Sequence, residues 1–168
     1  MSKTLAYIAL GANLGDPIGM LLDVIDELRE LPDCSNLESS GFYRTKPFEA
    51  SGPDFINAVV SLHTTLSPLE LLHALQALEN KHGRVRTEHN GPRTLDLDLL
   101  VFGDTQMDTP ELTLPHPRMH QRAFVLYPLA DLAPTLKLAQ GSVQDLLPSV
   151  ADQGIEALDM GFDDEDDD

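Results

Sequence analysis

Apolar residues along the chain follow two periodicities, which alternate from segment to segment. Two segments repeat apolar residues every three to four positions, as amphipathic helices do, and begin at Pro17 and Pro68. Four other segments have the apolar pattern of β-strands, namely 4–10, 36–45, 55–65 and 94–102. The order strand, helix, strand, strand, helix, strand predicts an α+β fold with a ferredoxin-like β-α-β-β-α-β core and a mainly antiparallel sheet.

Both predicted helices start with residues that favour a helix N-terminus. Asp16 precedes Pro17, and Ser67 precedes Pro68, so each helix has a polar cap followed by proline at its first position. Glu70 lies three residues after Ser67 and completes a predicted capping box, in which each residue accepts a hydrogen bond from the backbone of the other.

Length and composition indicate one domain. The chain has 168 residues, 42% of them hydrophobic, which is enough for one core. We expect a single domain over 1–160, closed by short helices near 122–130 and 142–150. The remaining segment, 161–168, is almost entirely acidic, and we expect it to be a disordered, solvated tail.

The overall charge limits the classes of partner. With 28 acidic and 11 basic residues the net charge is −17, which opposes nonspecific binding to nucleic acid and to anionic membranes. A single cysteine, Cys34, excludes an intrachain disulfide and fits a reducing, cytoplasmic location. We see no signal peptide and no apolar run long enough to cross a membrane. We therefore expect small-molecule partners rather than nucleic acid or membrane, and we also expect a monomer.

Five of the eleven basic residues lie close together in the sequence, and the most unusual polar pair lies among them. The five are Arg84, Arg86, Arg93, Arg118 and Arg122. Asp96 and Asp98 interrupt an apolar strand, and the period of two puts both on one face with Cα atoms about 6.5 Å apart. Carboxylates for a divalent cation beside arginines for phosphate suggest phosphate transfer. On spacing alone, a solvated strand face is the more common explanation.

The residues around this pair form a specific motif. Gly91-Pro92-Arg93, followed by Asp96 and Asp98 in an apolar strand, closely resembles the signature of the 6-hydroxymethyl-7,8-dihydropterin pyrophosphokinase family. Further segments similar to that family, within residues 4–135, are 7–14, 42–47, 55–58, 83–86, 115–116 and 122–124. Known members have a ferredoxin-like α+β fold, in agreement with the order of elements predicted above.

The resemblance implies an activity and a set of site residues. It implies transfer of the diphosphate of ATP, the co-substrate, to the hydroxymethyl group of the pterin, releasing AMP, in folate biosynthesis. Asp96 and Asp98 would hold two Mg²⁺ ions and, with Arg84 and Arg93, would be catalytic. The implied nucleotide-binding residues are Glu79, Arg86, Arg93, Leu99, Thr113, His116 and Arg122. The implied pterin-binding residues are Thr45, Pro47, Phe48, Phe55, Asn57 and Phe124.

Chemistry supports the pterin residues, since a flat polar ring favours stacking between aromatic side chains and hydrogen bonding at its edge. Phe55 and Phe124 would stack on the ring, and Asn57 would read its edge. Two alternatives stay open. One is a ferredoxin-like binding module without enzymatic activity, and the other is a family member that binds the substrates without turning them over.

Overall fold

The computed structural model describes residues 3–46, 54–82 and 95–158. The first five strands in these ranges are β1 (Thr4–Ala12), β2 (Cys34–Ser39), β3 (Tyr43–Thr45), β4 (Phe55–Thr64) and β5 (Asp96–Phe102). They are followed by strands of two or three residues, namely β6 (Met107–Asp108), β7 (Thr113–Leu114), β8 (Lys137–Leu138), β9 (Gly141–Ser142) and β10 (Ile155–Ala157). The α-helices are α1 (Pro17–Arg29), α2 (Pro68–Lys81), α3 (Ala123–Leu132) and α4 (Val143–Val150). Met119–Gln121 and Ala151–Gln153 form single 3₁₀ turns.

The main sheet has the order β10-β3-β4-β1-β5, and β2 also pairs with β4. Each pairing in it is antiparallel. Strand β1 therefore lies between β4 and β5, which are the third and fourth of the predicted core strands. This confirms the predicted ferredoxin-like arrangement, because two β-α-β units interlock in one antiparallel sheet in this way.

The predicted helix starts are confirmed. The Asp16 carboxylate accepts a hydrogen bond from the Gly19 amide at 3.1 Å and caps α1. The Ser67 hydroxyl accepts one from the Glu70 amide at 3.2 Å, and the Glu70 carboxylate accepts one from the Ser67 amide at 2.8 Å. None of the helices in the described ranges has the length and apolar character needed to span a bilayer.

Helices cover both faces of the sheet. On the first face, α1 and α2 pack on alternate residues of the strands, including Ile8, Leu10 and Leu97. On the second face, α3 and α4 pack on the other set, including Tyr7 and Val59. The side chains of α3 and α4 cover only part of the second face, and the uncovered part holds the site described below.

The predicted strand 36–45 is instead two strands, and this prediction was wrong in its continuity. The regular ladder to β4 is interrupted between β2 and β3, although the Ser40 amide still donates to the Val59 carbonyl at 2.8 Å. The Ser40 hydroxyl accepts the Val59 amide at 2.9 Å, and the Gly41 amide donates to the Asp131 carboxylate of α3 at 3.1 Å. The C-terminal strand β10, which pairs with β3, was not predicted. The predicted tail at 161–168 lies outside the described residues.

Candidate active site

A cavity of about 620 Å³ opens on the second face of the sheet, beside the start of α3. One side is formed by strand residues, which we call the sheet wall: Gly11, Thr45, Phe55, Asn57, Asp96 and Asp98. The other side is formed by the segment before α3 and by the C-terminal 3₁₀ turn, which we call the turn wall: Arg118, Gln121, Arg122, Phe124 and Gln153.

Asp96 and Asp98 both face this cavity, as the strand period predicts. Leu97 between them is buried in the core on the opposite face. The residues paired with the two aspartates on β1 are Gly11 and Ala9, which are too small to fill the space above the sheet. A Cβ atom at Gly11 would lie 3.1 Å from Asn57 Oδ1, so glycine keeps the cavity floor open between Asn57 and Asp96.

Strand β5, which carries the aspartates, has a β-bulge where its backbone binds the segment that carries His116. Tyr7 pairs with Val101 but Ile8 pairs with Leu99, so Leu100 is an extra residue on β5. Bulges redirect backbone groups and are frequent beside active sites. Here the Leu100 carbonyl accepts a hydrogen bond from the His116 amide at 2.8 Å. The segment that carries His116 is thereby fixed to the strand that carries Asp96 and Asp98.

His116 lies among charges of the site. Its pKa is lowered, first by burial and then by the positive charges of Arg122 and Arg118, while the negative charge of Asp96 opposes the shift. Its Nδ1 accepts a hydrogen bond from the Arg118 amide at 3.2 Å. The neutral ring therefore carries its proton on Nε2, which is a donor for an anionic or hydroxyl oxygen.

The turn wall combines positive charge with an aromatic face. The guanidinium carbon of Arg122 lies 5.4 Å from the centre of the Phe124 ring, within the range of a cation–π contact. Arg118 also lines the cavity. Because a guanidinium cannot lose its proton in a protein, this wall offers fixed positive charge across from the two aspartates.

The part of the sheet wall formed by β3 and β4, away from the two aspartates, suits a flat polar ligand. Asn57 is only 4% exposed, and its Nδ2 donates to the Thr45 hydroxyl at 2.8 Å. This bond fixes the amide plane and leaves further hydrogen-bonding capacity on Asn57. Phe55 and Phe124 both line the same cavity. Their arrangement supplies aromatic surface beside an oriented amide.

The carboxylates also fit a particular kind of metal site. Among the described residues, no three His, Cys, Asp or Glu side chains converge on a point where they could hold a metal ion. Mg²⁺ is usually bound by one or two carboxylates together with substrate phosphates and water, rather than by a complete protein cage. Asp96 and Asp98 beside the cationic wall match this requirement.

Known proteins share both the sequence and the fold. The model of the 7,8-dihydro-6-hydroxymethylpterin-pyrophosphokinase family matches residues 7–134. The chain belongs to this family. The 2-amino-4-hydroxy-6-hydroxymethyldihydropteridine pyrophosphokinase of Pseudomonas aeruginosa is 47% identical over 154 residues, covering 90% of this chain and 95% of the relative. The one of Haemophilus influenzae is 42% identical over 149 residues, covering 88% and 93% respectively.

A solved structure supports the fold independently. The structure of wild-type Plasmodium falciparum HPPK-DHPS with pterin and p-hydroxybenzoate matches with a TM-score of 0.73 at 14% identity. The match covers 94% of this chain but 45% of the longer one, so the chain spans less than half of that protein. At this identity the likeness concerns the fold, which agrees with membership of the pyrophosphokinase family.

The structure brings together part of the predicted set of site residues. Eight predicted residues lie in or beside the cavity: Thr45, Phe55, Asn57, Asp96, Asp98, His116, Arg122 and Phe124. The predictions for Pro47, Phe48, Arg84, Arg86 and Arg93 concern residues outside the described ranges, and they stay predictions.

Three predicted nucleotide-binding residues do not line the cavity. Glu79 is 3% exposed, and its carboxylate accepts a hydrogen bond from the Leu97 amide on the outer edge of β5 at 2.7 Å. The Leu99 side chain is buried in the core of the first face. Thr113 donates to the Asp108 carboxylate at 3.4 Å within the β6–β7 hairpin. For Glu79 this geometry indicates support of the strand that carries the aspartates.

Sequence analysis missed several residues of the cavity. Arg118 belongs to the arginine cluster and Lys46 to the family-like segment 42–47, but neither had an assigned role, and Gln121 belonged to no motif. Gly11 has a signal in retrospect, since it occupies the strand position opposite Asp96. Gln153 comes from the far end of the chain, beyond the residues that the family model matches, and no local pattern indicates it.

Proposed function

We propose that this chain transfers the diphosphate of ATP to the hydroxymethyl oxygen of 6-hydroxymethyl-7,8-dihydropterin and releases AMP. One observation carries the proposal beyond family membership. A single cavity contains Asp96 and Asp98, fixed guanidinium groups, and an aromatic and amide surface. These are the groups required to hold a polyphosphate and a flat heterocycle next to each other.

The phosphate end of the cavity lies between the aspartates and the turn wall. Arg122 and Arg118 would bind phosphate oxygens through charge-assisted hydrogen bonds. Neutral His116 would donate from Nε2 to a phosphate or ribose oxygen. Because charge is spread over several oxygens during phosphoryl transfer, positioning and neutralisation account for most of the catalysis. The predicted Arg84 and Arg93 would add to this positive charge.

Asp96 and Asp98 would hold two Mg²⁺ ions against the phosphate oxygens. The ions would neutralise the phosphates and align the attacking and leaving oxygens. The residues of this chain keep the two carboxylates at one edge of the cavity, since the paired strand β5 fixes their spacing. The strand pairing with β1 also keeps the floor between them and the pterin end free of side chains.

The pterin would occupy the end formed by Thr45, Asn57 and the two phenylalanines. Phe55 and Phe124 would stack on its faces, and the oriented Asn57 amide would bond to its edge. The hydroxymethyl group would then point along the sheet wall towards the aspartates. We also propose that the protein acts in the cytoplasm as a monomer.

The test is product identification. Protein, ATP, Mg²⁺ and 6-hydroxymethyl-7,8-dihydropterin are mixed, and nucleotides are separated by chromatography. We expect AMP and the pterin diphosphate in equal amounts, with no ADP. Absence of AMP at saturating Mg²⁺ would contradict the proposal. In that case calorimetry with ATP and Mg²⁺, followed by the pterin, separates the two open alternatives. Binding of both ligands would indicate a family member that does not turn them over. Binding of neither would indicate a ferredoxin-like binding module for another ligand.

A further inference from the structure

Gln153 makes two hydrogen bonds to the backbone around Arg122, although it lies about thirty residues further along the chain. Its Oε1 accepts from the Ala123 amide at 2.9 Å, and its Nε2 donates to the Gln121 carbonyl at 2.9 Å. The two peptide groups that it contacts lie on either side of the Arg122 Cα atom. A single side-chain amide therefore fixes both peptide planes from which the Arg122 side chain projects.

The local sequence explains why this support is needed. Arg122 is the N-cap residue of α3, and its side chain makes no capping hydrogen bond. The first amides of a helix have no partner within the helix, and a long cationic side chain cannot accept a hydrogen bond from them. Gln153 supplies the missing acceptor from another part of the fold. Its amide also donates to the carbonyl just before the cap, which an ionised carboxylate could not do.

The segment that carries Gln153 is itself fixed on both sides. Before it, Val150 of α4 is 2% exposed and belongs to the core of the second face. After it, Gly154 adopts a left-handed conformation with φ 78°, and β10 then pairs with β3. The 3₁₀ turn is thus held between a buried helix and the edge of the sheet. It can therefore support the backbone on either side of Arg122.

We infer that Gln153 is a positioning residue that holds Arg122 in the orientation required to bind the phosphates of the nucleotide. The inference rests on the proposed function and assigns to it a residue outside the family-matched segment. Gln153 acts through Arg122, so its loss has a consequence that a general structural role would not have. It should weaken nucleotide use only while Arg122 is present.

A double-mutant cycle tests this dependence. Gln153→Met keeps the length of the side chain and removes both hydrogen bonds, and Gln144→Met on the exposed face of α4 is the matched control. We expect Gln153→Met to reduce kcat/KM for ATP about 5- to 10-fold through KM, since two neutral hydrogen bonds are lost. In an Arg122→Ala background the same substitution should change kcat/KM less than about 2-fold, the small residual expected when one partner of a coupled pair is absent.

A second variant separates the two bonds. Gln153→Glu keeps an acceptor for the Ala123 amide but faces the Gln121 carbonyl with a carboxylate, and we expect at least as large a loss. Equal losses from Gln153→Met with and without Arg122, or a loss no larger than that of Gln144→Met, would overturn the inference while leaving AMP release by the wild type intact. Affinity for a non-hydrolysable ATP analogue with Mg²⁺, measured by calorimetry, gives the same cycle without turnover, so a failure of the proposed function is recognised separately.

Discussion

The two walls of the cavity hold their functional side chains by different means. On the sheet wall, Asn57, Asp96 and Asp98 project from paired strands of ten and seven residues. On the turn wall, Arg118 and Arg122 project from a 3₁₀ turn and the cap of a helix, and the backbone around Arg122 is held by the Gln153 side chain.

This difference determines how a substitution propagates. A change on the sheet wall removes one functional group and leaves its neighbours in place, because the ladder of backbone hydrogen bonds does not depend on that side chain. A change on the turn wall alters contacts that position other residues. Substitutions on the sheet wall should therefore give losses confined to one ligand, the largest of them at the aspartates, whereas losses on the turn wall should depend on one another.

The largest effect is expected for the aspartates. Asp98→Ala and Asp96→Ala should each lower kcat by more than about 100-fold. Loss of a residue that merely supports a metal ligand costs up to about 100-fold, and loss of the ligand itself should cost more. The melting temperature should change little, because both side chains face the cavity. AMP release and thermal unfolding are measured for both variants, with Asp104→Ala in the exposed turn after β5 as the control. Activity close to that of Asp104→Ala would refute the metal assignment.

A smaller effect is expected for Arg122 on the turn wall. Arg122→Ala should raise KM for ATP roughly 10- to 100-fold, because a hydrogen bond to a charged group contributes about 1.5–3 kcal/mol. Arg122→Lys should recover part of this loss, since it restores the charge but not the planar guanidinium. Arg29→Ala, at the exposed end of α1, removes an equal charge remote from the cavity and is the control. A KM that responds equally to both alanine variants would point to net charge alone.

A substitution at the pterin end of the cavity should change KM for the pterin rather than KM for ATP. Asn57→Ala should raise KM for the pterin roughly 10-fold, since it removes a buried amide and leaves the Thr45 hydroxyl without its partner. KM for ATP should hardly change. Ser61→Ala, on the same strand and the same face of β4 but outside the cavity, is the matched control. A rise in KM for ATP instead of KM for the pterin would reverse the assignment of the two ends.

The sequence predicts the sheet wall better than the turn wall for the same structural reason. A period of two is sufficient to place Asp96 and Asp98 on one face, and capping residues are sufficient to start α1 and α2. Gln153 meets Ala123 only after α4 and a 3₁₀ turn have packed, so no local pattern could indicate it. The break at Ser40 likewise depends on Asp131, which lies ninety residues from Gly41. Contacts between distant segments decide both features.

The smallest expected effect concerns the charge balance between the walls. Burial, Arg122 and Arg118 lower the pKa of His116 below its ordinary value of 6.5, and Asp96 opposes them. NMR titration of the ring should therefore give a pKa below 6.5 in the wild type, a higher pKa in Arg118→Ala, and a lower one in Asp96→Asn. Replacing Lys137, which lies on β8, by alanine removes a positive charge elsewhere and should leave the titration unchanged.

The same shift makes stability depend on pH in a defined direction. Because the folded protein holds the His116 proton less readily than the unfolded chain, the unfolded state binds more protons as the pH falls below 6.5. The contribution of His116 to the free energy of unfolding is therefore complete above pH 6.5 and is lost as the pH falls through the lowered pKa. Arg118→Ala should reduce this loss, as measured by urea unfolding at several pH values. A His116 pKa unaffected by both Arg118→Ala and Asp96→Asn would mean that the two walls do not act on His116 through their charges.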